Sequence, residues 1–564
     1  MKLFVRYRKF ISLILIGSIA LVSHRCANPV MPQGGPKDST PPEIIEEKPV
    51  NGSVNFDEKS IEIRFNEYVK LSEPGKNILV SPPMKKQPEY KIRHKSVIID
   101  FEDTLRQETT YKISFGKAIV DITEGNPAKE AEYVFSTGIV IDSMSLKGQI
   151  KNAFDLKPSE DIMVMLYPTD SVLRLSDSVP YKETPYYIAR TDKSGNFNFS
   201  HLRNTPYILF ALKDQNANFL FDIISEEIAF ADSLIRPWYK PVKIDTTASA
   251  LPDIPSVSHQ LLLFKEVDTT QRIVKRENPT DGQLFFVFQR PVIQDNIKIL
   301  EEHTGDFKML KEWGRNYDTL KLWVNHPEVD TIAFTWSVLS TKTDTVQMTF
   351  KGNKQKNLKV KKALLDFNCG TDAQLNHFNP FRMFFNRPVT AWNTDSLKLF
   401  ENSDTIYVKF RQADSLGKVF NIQHSLKPGA TYELQADSAS FTDFMGESNF
   451  ARKIAFKTKA ADAYGTLILN LKTSEISHPF IIQLLDEKEK VFKQFSFTGD
   501  YTFKSSPMLP TKFTVKAIFD TNNNGQWDTG KYLQNIQPEK VIFYNKTLEI
   551  RANWDLEEEW SIKP

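Results

Sequence analysis

Short segments in which apolar and polar residues alternate recur along this whole chain. SIEIRFN (60–66), SVIIDF (96–101), TYKISF (110–115), NFNFSHL (196–202), TLKLWV (319–324), TIAFTW (331–336) and TYELQA (431–436) all follow the rule. A period of two puts every second side chain on the same face, the mark of a strand buried on one side. After residue 30 no long stretch carries apolar residues at helical spacing. The expectation is an all-β chain of tandem β-sandwich modules. The 41 Phe and 18 Tyr fit, because aromatic residues favour strands. At 564 residues the chain is long enough for several domains.

An internal repeat divides the alternation into modules. Ile63-Arg64-Phe65-Asn66-Glu67-Tyr68-Val69 is matched by Val287-Phe288-Gln289-Arg290-Pro291-Val292 and by Phe384-Phe385-Asn386-Arg387-Pro388-Val389. Each precedes another short strand: 77–80, 296–299 and 396–399. Thr110-Tyr111 then matches Thr431-Tyr432. The Asp121 to Asn126 turn matches Asp443 to Asn449, and the closing 133–137 strand matches 454–458. Three units of about 100 residues fit immunoglobulin-like sandwiches by size.

FNEYV, FNRPV and the Pro41-Pro42-Glu43-Ile44 opening resemble the bacterial Ig-like domain of surface-layer proteins. A second kind of module lies between these copies. It begins at Leu146-Lys147-Gly148-Gln149-Ile150 and contains Thr191-Asp192-Lys193-Ser194-Gly195-Asn196-Phe197-Asn198-Phe199. This pattern resembles carboxypeptidase-regulatory-like, or transthyretin-like, sandwiches. A tight Asp/Gly turn there feeds an aromatic strand. A second copy starts at Tyr464-Gly465-Thr466-Leu467-Ile468. The expected order is Ig-like 41–139, transthyretin-like 140–255, divergent Ig-like 256–352, Ig-like 362–459 and transthyretin-like 460–564. A basic linker, 353–361, precedes the third Ig-like copy.

The amino terminus points to export. Lys2, Arg6, Arg8 and Lys9 precede an apolar run from Phe10 to Val22, 13 residues long, which suits a secretory signal and is short for a membrane span. Cys26 follows it, and a Pro- and Gly-rich tether, 26–40, follows Cys26. This layout resembles a bacterial lipoprotein signal, with 1–25 as signal peptide and Cys26 as the lipidated residue. With the Ig-like modules, it resembles Bacteroidetes-type Ig-like lipoproteins. That implies a chain held to the outer membrane by lipid, on its periplasmic or surface face. Cys369 is the one other cysteine, so a lipidated Cys26 leaves no disulfide.

Charge excludes one class of partner. Removing the five positive charges of residues 1–25 takes the formal +2 to −3, so no basic field argues for nucleic acid. The six lysines of 351–362 read as a solvated linker.

One constellation suggests inorganic chemistry, once in each transthyretin-like copy. Asp214, Asn216, Asn218 and Asp222 place side-chain oxygens at positions 1, 3, 5 and 9, with the Leu220 carbonyl at position 7. Asp520, Asn522, Asn524 and Asp528 do the same, with Gln526 at position 7. That is the spacing by which calcium loops wrap a hard cation. Ser225 and Lys531 stand where position 12 wants an acid, and Phe219 replaces the expected glycine. A plain polar turn uses the same residue types.

Enzyme signatures are absent from the sequence: no G-x-S-x-G, H-E-x-x-H, Walker loop or G-x-G-x-x-G occurs. His201, His259 and His377 stand apart from any Cys or carboxylate pattern. The expectation is a non-catalytic scaffold or accessory subunit of an outer-membrane assembly or transport complex, with outer-membrane proteins as partners. A glycan-binding protein, with Trp313, Trp323 or Trp392 stacking on sugars, is the alternative from another class. Core packing is the plainer reading of those tryptophans. A hydrolase without a recognisable motif is the third.

Overall fold

The computed structural model describes residues 38–129, 131–169, 179–239, 258–279, 282–292, 296–299, 308–325, 331–337, 343–349, 365–368, 370, 373–474 and 477–563. Cys26, the signal segment, most of the tether, the basic linker and Cys369 lie outside the described residues. The chain divides into two compact units. One comprises 1–149, 160–211 and 233–260, the other 150–159, 212–232 and 261–564. No helix of the described residues is long and apolar enough to cross a membrane.

The first unit opens with a sandwich. One sheet runs in the order Ile44–Lys48, Ser60–Phe65, Ser96–Asp100, Glu89–Arg93; the other runs Leu79–Ser81, Thr110–Ser114, Glu132–Ser136. Alternation does the work expected of it. Ile61, Ile63 and Phe65 are fully buried while Glu62 and Arg64 face out. They meet Tyr111, Ile113, Tyr133 and Phe135 of the facing sheet. Burying each such side chain contributes roughly 1.5–3 kcal/mol.

The second unit repeats this plan twice. Leu365–Phe367, Arg382–Phe385, Val419–Gln423 and Lys409–Gln412 form a sheet of the same order, and Arg452–Thr458, Thr431–Ala436 and Leu397–Glu401 lie consecutively in the second. The divergent copy keeps it too. Ile273–Glu277, Gln283–Phe288, Thr319–Val324 and Met309–Trp313 form one sheet, and Asn296–Ile299, Thr331–Ser337 and Thr343–Thr349 the other. Its second half is hard to align by residue identity, yet the strand order is the same. Backbone pairing needs the alternating pattern and leaves identities loose.

Two side chains explain why the repeat spells Thr-Tyr. Tyr111 Oη accepts the Arg106 N–H at 2.8 Å, and Tyr432 Oη accepts the Lys427 N–H at 2.7 Å. Each is a tyrosine corner, pinning the loop before its strand. A threonine from the closing strand completes the clamp. Thr137 Oγ1 accepts the Thr109 N–H and donates to the Arg106 carbonyl; Thr458 Oγ1 does the same with Ala430 and Lys427.

The transthyretin-like pattern also yields paired strands. In the first unit, Leu146 to Gln149 pair antiparallel with Asn196 to Phe199, and Met163–Pro168 pairs with Tyr187–Arg190. In the second, Gly465–Thr473 lies between Tyr501–Met508 and the parallel Asp555–Ile562. The facing sheet is Val491–Phe497, Phe480–Leu485, Thr511–Phe519, Val541–Phe543. Leu467, Leu469 and Leu471 meet Ile482, Leu484, Phe513 and Val515 in its core.

Segments far apart in sequence meet inside the second unit. Phe154 packs edge-on to Trp527 at 5.0 Å, and Lys157 pairs with Glu489 at 2.6 Å. Phe230 packs on Tyr532 at 5.4 Å, and Thr529 Oγ1 donates to the Lys265 carbonyl at 2.7 Å. The Lys516 ammonium lies 2.9 Å from the Phe154 ring centre. Burial there pushes its pKa down to about 8.

Candidate functional site

Each Asp/Asn loop follows a core strand and closes on itself. Asp520 is almost wholly buried, and its carboxylate accepts the N–H of Asn524 at 3.0 Å and of Gly525 at 2.8 Å. Asn522 and Asn524 both turn their amide NH₂ to Asp528 Oδ2, the latter at 2.6 Å. Asn524 Oδ1 accepts the Gln526 N–H. The first loop has the same wiring. Asp214 accepts from Ala217 and Phe219 at 2.7 and 2.8 Å, Asn216 and Asn218 donate to Asp222, and Asn218 Oδ1 accepts the Leu220 N–H. Phe219 takes a left-handed conformation, φ 62°, where the second loop has Gly525 at φ 76°.

The spacing argument missed one acid in each loop. Glu226 is fully buried and accepts N–H groups of Gln215, Asp222 and Ile223. Glu539 accepts the Thr521 N–H and hydroxyl through Oε1 and the Asp528 N–H through Oε2. Each glutamate gathers both ends of its loop. Glu226 stands one residue past the position that was inspected, and Glu539 lies beyond the loop altogether, so position 12 showed neither. In this arrangement the asparagine amides turn their NH₂ groups toward Asp222 and Asp528. Binding a cation requires those amides to rotate and present their oxygens. Among the described residues, no group of three or more His, Cys, Asp or Glu side chains is placed to hold a metal.

The three candidate tryptophans part company. Trp323 is 3% exposed, and its Nε1 donates to Glu312 Oε2 at 2.8 Å, so it belongs to the core. Trp392 is 41% exposed and packs edge-on over Phe420. Trp313 lies half-buried in the wall of a cleft of about 640 Å³ between two hairpins of the second unit. Tyr317, Arg315, Phe384, Asp414 and Ser415 share that wall. Its floor is a charge network. Lys418 Nζ lies 3.0 Å from both Glu312 oxygens and Lys321 Nζ lies 3.2 Å from one. Burial pushes the Glu312 pKa up, but Lys418 and Trp323 bonding more than offsets it, and the carboxyl sits below its usual range.

A larger cleft, about 1590 Å³, lies in the first unit. Lys112, paired with Glu132 at 2.7 Å and bonded to Ser200 Oγ at 3.0 Å, crosses it. His201 sits in its wall with Nδ1 3.1 Å from the Asp142 carbonyl oxygen, and burial lowers its pKa. It is a hydrogen-bonded, half-buried histidine, in keeping with its isolation in the sequence.

Comparison with known proteins agrees with the sandwich. The family model for the bacterial Ig-like domain matches residues 38–137. No curated protein sequence matches. Among solved structures, the Bacillus anthracis TIE protein is 10% identical, with 94% of this chain and 76% of that one covered, at a TM-score of 0.14. Native alpha-2-macroglobulin from Escherichia coli, spanning domains MG0-NIE-MG1, is 11% identical over 49% of this chain and 97% of that one, at a TM-score of 0.19. The Bacteroides ovatus mixed-linkage glucan utilization protein SGBP-B is 9% identical over 72% and 94%, at a TM-score of 0.15. TM-scores this low describe no shared overall architecture.

Proposed function

We propose that this chain is a non-catalytic cell-envelope protein, a lipid-anchored scaffold or accessory subunit that holds an outer-membrane partner through fixed β-sandwich modules. In this reading the modules follow the order of the repeats, with the first transthyretin-like module running past residue 255, because Ser258–Lys265 pairs with Glu227–Phe230. The observation that carries this reading is how neighbouring modules are fastened. In the first unit the Ile188 N–H donates to Ser81 Oγ at 3.0 Å and Arg190 Nη1 donates to the Lys76 carbonyl at 2.8 Å. In the second, Lys418 and Glu312 lock one Ig-like sandwich to the next. These contacts tie neighbouring modules at defined points, against the motion that is the default where interfaces are small and polar. The bacterial Ig-like match at 38–137 supports an envelope setting.

Cys26 carries the lipid in this reading. A multiply acylated cysteine holds a protein to a bilayer firmly, where one chain binds marginally. Cys26→Ser releases the protein from the outer-membrane fraction or stalls its processing, and the wild type co-purifies with outer-membrane proteins in stoichiometric amounts. A Cys26→Ser protein that stays wholly with the membrane at normal mass overturns the anchor. A single side chain whose loss ends function while folding and partner binding persist overturns the scaffold in favour of an enzyme. The loop from Asp520 to Asp528 holds a structural calcium ion in this reading, with the Asp214 to Asp222 loop as its weaker counterpart. The oxygen spacing and the two gathering glutamates support it.

A further inference from the structure

Tyr317 is the residue from which the 640 Å³ cleft gains a meaning. It sits in the 314–318 turn between Met309–Trp313 and Thr319–Val324. Its φ is 55°, the left-handed region. A bulky residue there is an outlier, and strain of this kind clusters at functional positions. Glycine or asparagine closes such a turn at lower cost. The chain instead keeps a tyrosine, held by the Val292 N–H on its carbonyl, with its ring 56% exposed. That ring lies 6.1 Å from Trp313, tilted by 39°, and Trp313 in turn leans on Phe288. Two aromatic faces thus meet at one wall, backed by the core.

The rest of the wall mixes charged side chains with Phe384, Phe385, Leu416 and Val419. Glu312 is engaged by Lys418 and Lys321, and both Asp414 oxygens accept N–H groups of Lys418 and Val419 in their own hairpin. The lining as a whole carries three cations, Lys311, Arg315 and Lys418, against two acids, Glu312 and Asp414, which leaves a single net positive charge. Arg315 and Ser415, both exposed, stand at the rim. A mixed pocket of a few hundred Å³ with aromatic walls and a few converging polar groups suits a small ligand. A pyranose with equatorial hydroxyls matches it: one flat C–H face for a ring, and a rim of hydroxyls for the side chains around it.

We propose that this cleft binds an oligosaccharide of pyranose units with equatorial hydroxyls, stacked on Trp313 and Tyr317 and hydrogen-bonded by Arg315 and Ser415. The site is independent of the scaffold role and is compatible with it.

The test is calorimetric titration of the intact chain with cellohexaose and with chitohexaose. At least one binds with a dissociation constant of 1 mM or tighter. Trp313→Ala weakens it at least tenfold, and Trp392→Ala, outside the cleft, leaves it unchanged. Tyr317→Gly separates binding from folding, because glycine adopts φ 55° without strain. It keeps or raises the melting temperature while weakening binding at least tenfold. Binding to neither sugar overturns the proposal, as does equal loss in Trp313→Ala and Trp392→Ala, or full binding by Tyr317→Gly. Binding of decaproline in place of both sugars overturns it in favour of a peptide groove.

Discussion

At the scale of single residues, the repeated motifs are joints of the sandwich. Arg387, in FNRPV, pairs with Asp443 at 3.3 Å with both side chains buried. The first module places Glu67 at the matching position, opposite Asp121. Burial, then the Asp121 charge, hold the Glu67 carboxyl above its usual range. Burial pushes the Asp121 pKa up, but N–H groups of Gly125, Glu124 and Asn126 override that and bring it down to about 2. Glu67→Arg therefore replaces a repulsion with the pair seen in the third module, and raises stability by about 0.5–1 kcal/mol. Urea unfolding measures it; a lower midpoint refutes the equivalence. Glu401 gives a pH dependence. A bond from Lys427 brings its pKa down to about 2 against the cost of burial, with His424 and Tyr432 adding to the effect. A carboxyl depressed in the folded state stabilises fully above its unfolded pKa, 4.5, and loses that contribution as pH falls toward 2. Wild type then loses stability between pH 4.5 and 2 faster than Glu401→Gln. Parallel curves for the two proteins contradict this.

At the scale of elements, strands were legible in the sequence and loop closures only in part. Alternation located the strands because one buried face leaves a period of two in any sandwich. The Asp192 turn was legible too: its Oδ1 accepts the Ser194 and Asn196 N–H groups, as an Asp/Gly turn requires. Glu226 and Glu539 were not legible as loop partners, since nothing local marks a glutamate that folds back on a loop. They alter the calcium test. Asp520 already accepts two backbone N–H groups, so Asp520→Ala costs roughly 1–3 kcal/mol even without a metal. Destabilisation of that variant says nothing about calcium. The discriminating measurement is the wild-type melt. An ion that binds only the folded state stabilises it by RT ln(1 + [L]/Kd), so millimolar calcium raises the midpoint and EDTA reverses the rise. Asp520→Ala shows no such shift. Identical wild-type melts in calcium and EDTA mean that the hydrogen bonds alone hold the loop.

At the scale of the whole molecule, contacts between distant segments decide how the second unit is held, and these left no trace in the sequence. Glu312 and Lys418 are separated by 106 residues, Thr529 and Lys265 by 264. Neither pair follows a periodicity, because only the packed modules bring them together. Gly530 shows how close that packing is. A Cβ there would lie 2.5 Å from the Phe264 ring and 2.8 Å from the Ile536 carbonyl oxygen. Phe264 is buried, and Phe230, packed against it at 6.0 Å, also touches Tyr532. The ring cannot yield without opening this contact, so the methyl group forces residues 529–537 away from 261–266. Overpacking of this kind costs roughly 1–3 kcal/mol. Gly530→Ala is therefore expected to loosen the C-terminal module from the segment around Phe264 while each sandwich keeps its own core. Hydrogen exchange reads this directly: faster exchange at the Tyr532 N–H, which donates to Glu266 Oε1 at 2.6 Å, with Leu467 to Leu471 still protected. Unchanged exchange at Tyr532 shows that the contact does not hold the module. Loss of protection throughout 465–473 shows that the module does not fold apart from it.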